Sequence, residues 1–339
     1  MTNTTNLKVT TEAAPPPSGW QRVPWRSVAI VFPFLAVFVA LSIGSPAFLS
    51  FYNVGNVLDR QSGMLIVAAA STLVLIAGGI DLSVGATYML SAVICGTLIL
   101  KVEGGGGAAL GIIMGILAGL VVGIVNGVVS TYLRINPLIA TLAMSFIILG
   151  ATKLISQIGK EGIGQLRVDV DEFTWIASTK PLGISLPTWT AFVVLVILAV
   201  LLWRSTLGRY IYAAGGNAEA ARLAGIRVNV VRISTFALSG LAAGLAGVID
   251  LARVPSVPES DAIATNLTFT VLAGIVVGGT SILGGEGAIW RTVLGILFIA
   301  MLYNGFTLLR IDPLFQGIAL GVLILLAVGF DAWSRLRRR

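Results

Sequence analysis

Few side chains in this 339-residue sequence carry the means to do chemistry, and the first of them is Asp81 in the stretch Gly78-Gly79-Ile80-Asp81-Leu82-Ser83-Val84-Gly85. Glycines on both sides of an acid and a serine, set between two apolar runs, suggest a helix that unwinds and restarts. Asp81 or Ser83 would cap its second half. A carboxylate in lipid is expensive, so Asp81 is expected to face protein or water. Two readings stand for it, a structural cap or a direct role in a permeation path. Asn126, Asn304, Thr72, Ser145, Asn266 and Gln316 also lie in or near apolar runs, where polar groups either bridge helices or line a water-filled route. Bridging is the default. Asp81, Ser83, Asn126 and Asn304 are the candidates for a translocation pathway.

Catalysis has little to work with. The chain contains no histidine, which removes the commonest general base and the commonest metal ligand together. Its single Cys95 sits in an apolar run and cannot form an intrachain disulfide. No Ser-His-Asp, Cys-His or His-Glu-x-x-His set can be assembled, so no catalytic residue, metal site or cofactor is expected. The phosphate-binding pattern Gly-x-x-x-x-Gly-Lys-Ser/Thr is also missing.

The second notable stretch is a charged island, Leu207 to Arg232, with five arginines between Arg204 and Arg232 and Glu219 as its one acid. Asn217 is placed to cap a short helix over Ala218 to Ala224. Glu219 falls in its positively polarised first turn and Gly225 at its end. Asn229 is placed to cap the helix after it. Helix, turn and helix form an ordered piece too short for a domain.

The elements that must present these residues are membrane spans. Of the residues, 56% are hydrophobic and 11% charged, against roughly 25% charged in soluble domains. At about 20 apolar residues per crossing, ten spans are expected: Ser27 to Ser45, Gly63 to Gly78, Gly85 to Leu100, Ala108 to Leu133, Pro137 to Ser156, Thr188 to Trp203, Ile233 to Leu251, Asn266 to Leu283, Ile289 to Leu309 and Leu314 to Phe330. The fold class is an all-α polytopic membrane protein. Its 40 glycines suit close helix packing in lipid. Residues 1–26 are expected to be a disordered tail and residues 27–331 the transmembrane domain.

Orientation follows from the cations. An inner N-terminus places 14 of the 22 Lys and Arg inside, among them the central loop 204–232 and the RLRRR of the tail 332–339. Both termini are then cytoplasmic. The net charge of +7 is explained by topology and lipid headgroups and needs no nucleic acid. The longest outer segment, 157–187, mixes seven charges with Phe173 and Trp175, and is either a solvated loop or a docking surface.

The sequence also repeats. LRINPLIATLA (Leu133 to Ala143) echoes LRIDPLFQGIA (Leu309 to Ala319), and GGIDLSVGA (Gly78 to Ala86) is loosely matched by GGTSILGGEGA (Gly278 to Ala288). Duplication of this sort marks transport folds with a pathway between related halves. The first pair falls on opposite sides of the membrane and the second on the same side. A break or re-entrant segment at Gly78 to Gly85 would account for the mismatch.

The segment GNAEAARLAGI (Gly216 to Ile226) resembles the EAAxxxG signature of the permease subunits of bacterial ATP-binding cassette importers. Together with GGIDLSVG and GGTSILGGEG, it is similar to the ribose-type monosaccharide permease branch. The resemblance runs from about Phe48 to Phe330, without the Leu-Pro that ends the signature elsewhere. It implies a passive pathway subunit in the bacterial cytoplasmic membrane. It further implies a second permease subunit, identical or paralogous, a cytoplasmic ATPase, and an extracytoplasmic sugar-binding protein. Asn217, Glu219, Ala220, Ala221, Arg222 and Gly225 would form the ATPase-coupling loop, their small residues allowing close approach. An ion-coupled secondary transporter of small polar solutes is the alternative, and scarce intramembrane acids weigh against it.

Overall fold

A computed structural model of the chain describes residues 31–102, 106–159, 166–257, 260–312 and 314–322, with residues 325 and 329. The expected tails 1–26 and 332–339 lie outside the described residues, as does most of the last expected span beyond residue 322. Twelve helices are named here. They are α1 (Val31–Gly44), α2 (Phe51–Ile76), α3 (Val84–Lys101), α4 (Gly106–Tyr132), α5 (Pro137–Gly159), α6 (Asp171–Ser178), α7 (Leu186–Arg204), α8 (Thr206–Gly216), α9 (Ala218–Leu223), α10 (Val228–Arg253), α11 (Asp261–Val277) and α12 (Ile289–Leu308). Residues 314–322 are helical as well. Seven of these, α2, α3, α4, α5, α7, α10 and α12, are long and apolar enough to cross a membrane, and α1 and α11 are shorter apolar helices.

α10 is the hub, with α2, α3, α4, α6 and α8 all packed on it. Its closest neighbour is α4, and the sequence shows why. Gly107, Gly111, Gly115, Gly119, Gly123 and Gly127 recur every four residues and form one buried stripe. A Cβ on Gly119 would overlap the Gly240 carbonyl, one on Gly123 the Phe236 carbonyl, and one on Gly111 would lie 2.6 Å from the Cys95 carbonyl. Backbones therefore touch along the whole seam, the small-residue packing that lipid-embedded helices favour. The opposite face of α4 is exposed and apolar, with Ile113, Val121 and Ile124 facing outward. α7, which has no glycine, also turns an apolar face outward, with Phe192, Val196 and Val200 exposed.

Most of the expected spans coincide with a helix to within a turn or two, and for seven of the ten that helix is long and apolar enough to cross a membrane. The one that grows most is the second: α2 begins three turns early because Ser50 caps it, its hydroxyl accepting from Asn53 N–H at 3.2 Å. Its polar opening residues have partners. Asn53 exchanges two amide hydrogen bonds with Asn304, and Asp59 accepts from the Ser185 hydroxyl at 2.6 Å. The eighth expected span loses its end. α11 stops at Val277, and residues 278–288 form a glycine-rich loop rather than helix.

Segment 157–187 is not a loose loop. α5 runs into it, and a two-residue strand Leu166–Arg167 pairs antiparallel with Ser256–Val257, a small departure from the all-α expectation. Phe173 on α6 is fully buried, together with Leu166 and Val168. The aromatic residue read as part of a docking surface is thus a core residue. Trp175 is 59% exposed and keeps that reading open.

The paired LRIxP turns share their geometry. Arg134 and Arg310 both take the left-handed conformation, at φ 54° and 56°. Asn136 and Asp312 each accept from the N–H two residues on, at 3.0 and 2.9 Å. The two Gly-Gly pairs, by contrast, match with an offset of one. Gly78 (φ 81°) corresponds to Gly279 (φ 85°), each being the left-handed residue that ends a helix.

Candidate coupling surface and buried polar cluster

α8 and α9 turn the chain back between α7 and α10, and each bend is closed by a side chain. Ser205 accepts from Gly208 N–H at 3.0 Å at the start of α8. Asn217 Oδ1 then accepts from Glu219 N–H at 3.1 Å and Ala220 N–H at 3.0 Å. At the far end of α9, Ile226 N–H donates to the Ala221 carbonyl at 3.0 Å and Gly225 N–H to that of Arg222 at 2.9 Å. That pair of bonds needs a left-handed residue, and Gly225 supplies it at φ 82°. α9 therefore ends one residue sooner than expected. The next helix starts at Val228, so Asn229 lies inside it instead of capping it.

The two faces of α9 differ. Ala221 is buried against the same core as Ile211, Ala214 and Val228, so its small size answers to the chain's own packing rather than to a partner. Glu219, Ala220, Arg222, Leu223 and Gly225 face out. Leu223, at 84% exposure, is the most prominent apolar side chain there, and the sequence reading passed it over. Space is open over Gly225, where an added Cβ would meet nothing within 4 Å. The Glu219–Arg222 pair, 3.3 Å apart, is exposed on both sides and contributes little stability.

Behind α9 three glycine pairs meet backbone to backbone. A Cβ on Gly215 would overlap the Ile76 carbonyl, and one on Gly284 would lie 2.9 Å from Gly78 Cα. Gly285 N–H donates to the same Ile76 carbonyl at 2.8 Å. The Tyr212 hydroxyl donates to the Gly287 carbonyl at 2.8 Å. Burial pushes the Tyr212 phenol above its usual pKa, partly offset by the nearby Arg291. Arg232, counted above among the loop arginines, sits in the second turn of α10 and donates through Nε to the Ala77 carbonyl at 3.2 Å. The end of α8 is thus locked to the end of α2 and to the 278–288 loop.

From that junction the chain enters the bundle outside any helix. α3 has 18 residues, about 27 Å of helix, and residues 80–83 lead into it. Leu82 N–H is satisfied by Thr141 Oγ1 at 3.0 Å, a side chain on α5. Asp81 is 4% exposed and fully occupied. Its Oδ1 accepts from Ser83 N–H at 3.0 Å and Ser83 Oγ at 2.7 Å, and its Oδ2 from Ser239 Oγ on α10 at 3.0 Å. Ser83 occupies the N-cap position of α3 without a side-chain cap bond, because its hydroxyl is spent on Asp81. Asn126 Nδ2 on α4 donates to Ser83 Oγ at 2.7 Å. Asn126 Oδ1 is buried with no partner among the described residues, an arrangement that costs about 1–3 kcal/mol unless something fills it.

Asp81, Ser83 and Asn126 therefore come together, and Asn304 does not. It lies at the far end of α12, bridging to Asn53. Ser239 and Thr141 complete the cluster, and neither was found from sequence. A second, partly buried acid was also missed. Asp250 on α10 accepts from Tyr88 OH on α3 at 2.9 Å and pairs with Arg253 at 3.2 Å. Gly63 on α2 makes room for it, since a Cβ there would lie 2.6 Å from Asp250 Oδ2.

The comparisons with known proteins agree across nearly the full length. The chain is 38% identical over 303 residues to the ribose import permease protein of Bacillus subtilis, covering 88% of this chain and 91% of the relative. Against the ribose import permease protein of Escherichia coli K12 it is 35% identical over 306 residues, with the same coverage. It is 34% identical to the L-arabinose ABC transporter permease protein of Azospirillum brasilense, covering 94% of this chain and 91% of the relative. No solved structure matches. The family model described as branched-chain amino acid transport system / permease component matches residues 53–328, and the chain belongs to that family.

Proposed function

We propose that the chain is the membrane-spanning permease subunit of an ATP-binding cassette importer and forms the translocation pathway for a monosaccharide or similar small polyol. The single observation that carries this is α9. It is a short helix capped at both ends, with Leu223 and Arg222 outward and its root wedged against the ends of α2 and the 278–288 loop. A partner that grips α9 moves those elements with it. The relatives' names, ribose import permease and L-arabinose ABC transporter permease, support the substrate class and set aside the ion-coupled alternative.

In this reading a cytoplasmic ATPase seats α9 in a cleft, and nucleotide-driven closure is passed on through Gly215 to Ile76 and Gly285. The break that holds Asp81, Ser83 and Asn126 then changes shape, and sugar moves past it. Asn304 contributes as a bridge that steadies the far ends of α2 and α12. Ten spans place both termini in the cytoplasm of a bacterium, with loop 204–232 inside, segment 157–187 outside and the tails 1–26 and 332–339 inside. The shared geometry of the two LRIxP turns, on opposite faces, supports an inverted repeat. A sugar-binding protein would deliver to the outer face, and a second permease subunit, identical or paralogous, would complete the channel.

The test is the variant Leu223→Ser in the full chain, coexpressed with a candidate ATP-binding cassette ATPase subunit. Surface position predicts stability within about 0.5 kcal/mol of the parent. Loss of most ATPase co-purification and of sugar uptake, with membrane accumulation unchanged, is the expected result. Normal uptake and co-purification after removal of Glu219 to Gly225 would overturn the reading.

A further inference from the structure

The cleft between α7, α8 and the start of α12 is not used by the coupling surface and has a chemistry of its own. Its volume is about 500 Å³, within the range of small-ligand sites. Val200 and Trp203 on α7 form one wall, Ile289 and Trp290 on α12 the other, and Arg209 and Tyr212 on α8 the floor. Both tryptophans are largely exposed, Trp203 at 74% and Trp290 at 49%. Each sits within two residues of a helix end: Trp203 at the close of α7, Trp290 at the opening of α12. Paired exposed tryptophans at the same end of two spans mark the depth of the headgroup region.

The charge at that depth is cationic. Arg204 stands beside the cleft and stacks over the Trp203 ring, with its guanidinium carbon 4.1 Å from the centroid. Arg209 lines the cleft and is steadied by a hydrogen bond from its Nη2 to Thr206 Oγ1 at 3.2 Å. No acid lines this cleft. Above the arginines, Val200 and the exposed Val196 and Phe192 of α7 continue as an apolar strip along the helix. Anion-binding groups at headgroup depth, under an apolar strip that runs into the bilayer, fit one molecule: a phospholipid.

We propose that this cleft is a specific site for one anionic phospholipid of the cytoplasmic leaflet, with its phosphate at Arg209 on the floor, the positive charge of Arg204 beside it on the Trp203 ring, and an acyl chain along α7. The inference rests on the membrane placement given above and not on the transported solute. Because Tyr212 both lines the cleft and donates to the Gly287 carbonyl, the lipid sits on the link between α8 and the glycine junction.

The experiment uses the full chain in phosphatidylcholine vesicles containing a minor fraction of dibrominated phosphatidylglycerol or, in parallel, dibrominated phosphatidylcholine, with tryptophan emission as readout. Phosphatidylglycerol is expected to quench the more strongly, with occupancy favouring it by about fivefold per arginine. The excess should vanish in Trp203→Phe/Trp290→Phe, which removes the reporters, and in Arg204→Gln/Arg209→Gln, which removes the anion contacts. Equal quenching by the two lipids in the parent chain would overturn the site while leaving the membrane placement intact. An excess that survives the arginine changes would overturn it as well. Quenching by neither lipid would sink the membrane placement and the site together.

Discussion

Two groups of glycines do different work in this molecule, although both bring backbones into contact. Along α4 they form a seam: six residues in regular helix, four apart, facing α3 and α10. From Gly111 to Gly127 every neighbour there is itself in a helix, so little can give. At the root of α9 they form a joint, where Gly78, Gly284 and Gly285 take left-handed conformations and Gly215 abuts the Ile76 carbonyl. The neighbours at the joint are the last residue of α2 and two turns, joined by hydrogen bonds that cross between elements, such as Gly285 N–H to the Ile76 carbonyl and Tyr212 OH to the Gly287 carbonyl. The seam is suited to holding α3, α4 and α10 as one body, the joint to letting α8 and the two glycine loops shift against that body.

The sharpest way to break the comparison is to add the same methyl group to each. Gly123→Ala places a Cβ on the Phe236 carbonyl and 3.0 Å from Ala237 Cα. Overpacking between two rigid helices should cost stability at the upper end of ~1–3 kcal/mol. Thermal unfolding in detergent should drop markedly and membrane accumulation fall. Gly215→Ala places its methyl on the Ile76 carbonyl, the acceptor of Gly285 N–H. Here the acceptor is the last carbonyl of α2, which takes its hydrogen bond from Gly285 across the joint and can tilt, and the expected stability loss is smaller, about 1 kcal/mol. Uptake should nevertheless fall at least tenfold while ATPase association persists. Equal stability losses at the two sites, with uptake following stability alone, would erase the distinction between seam and joint.

How much of this was legible in the sequence divides along the same line. α9 could be read almost to the residue because its determinants are local: Asn217 two and three residues before the N–H groups it caps, and Gly225 where a left-handed residue must stand. The stripe on α4 could have been read too, since its period is plain, but the total glycine count hid it. The partners of Asp81 could not. Ser239 lies 158 residues away in a run of small residues, and nothing near it in sequence marks it. The joint was invisible for the same reason, because Gly215, Ile76 and Gly285 come from three distant stretches. The early turns of α2 were missed because Asn53, Asn56, Asp59 and Arg60 interrupt the apolar run that signals a span. Two of them, Asn53 and Asp59, are paired with Asn304 and Ser185 from elsewhere in the chain. A polar residue in a span is read as a stop only when its partner is unknown.

The smallest expected effect sits at the boundary between joint and coupling surface. Asn217 is the residue at which α8 ends and α9 begins, and its Oδ1 satisfies two N–H groups that would otherwise face solvent. Asn217→Ala removes both bonds, which lowers the stability of α9 by about 1 kcal/mol. Global unfolding should barely change, because α9 is six residues long and only Ala221 is buried. The loss should appear instead as faster hydrogen exchange of Glu219 and Ala220 amides and a severalfold fall in uptake. Asn217→Asp retains the acceptor and adds a negative charge at the helix N-terminus, where it is favourable, so it should restore protection and uptake together. If Asn217→Asp behaved as Asn217→Ala does, the cap would be incidental, and the amide would have to act on the partner directly instead of by fixing the angle between α8 and α9.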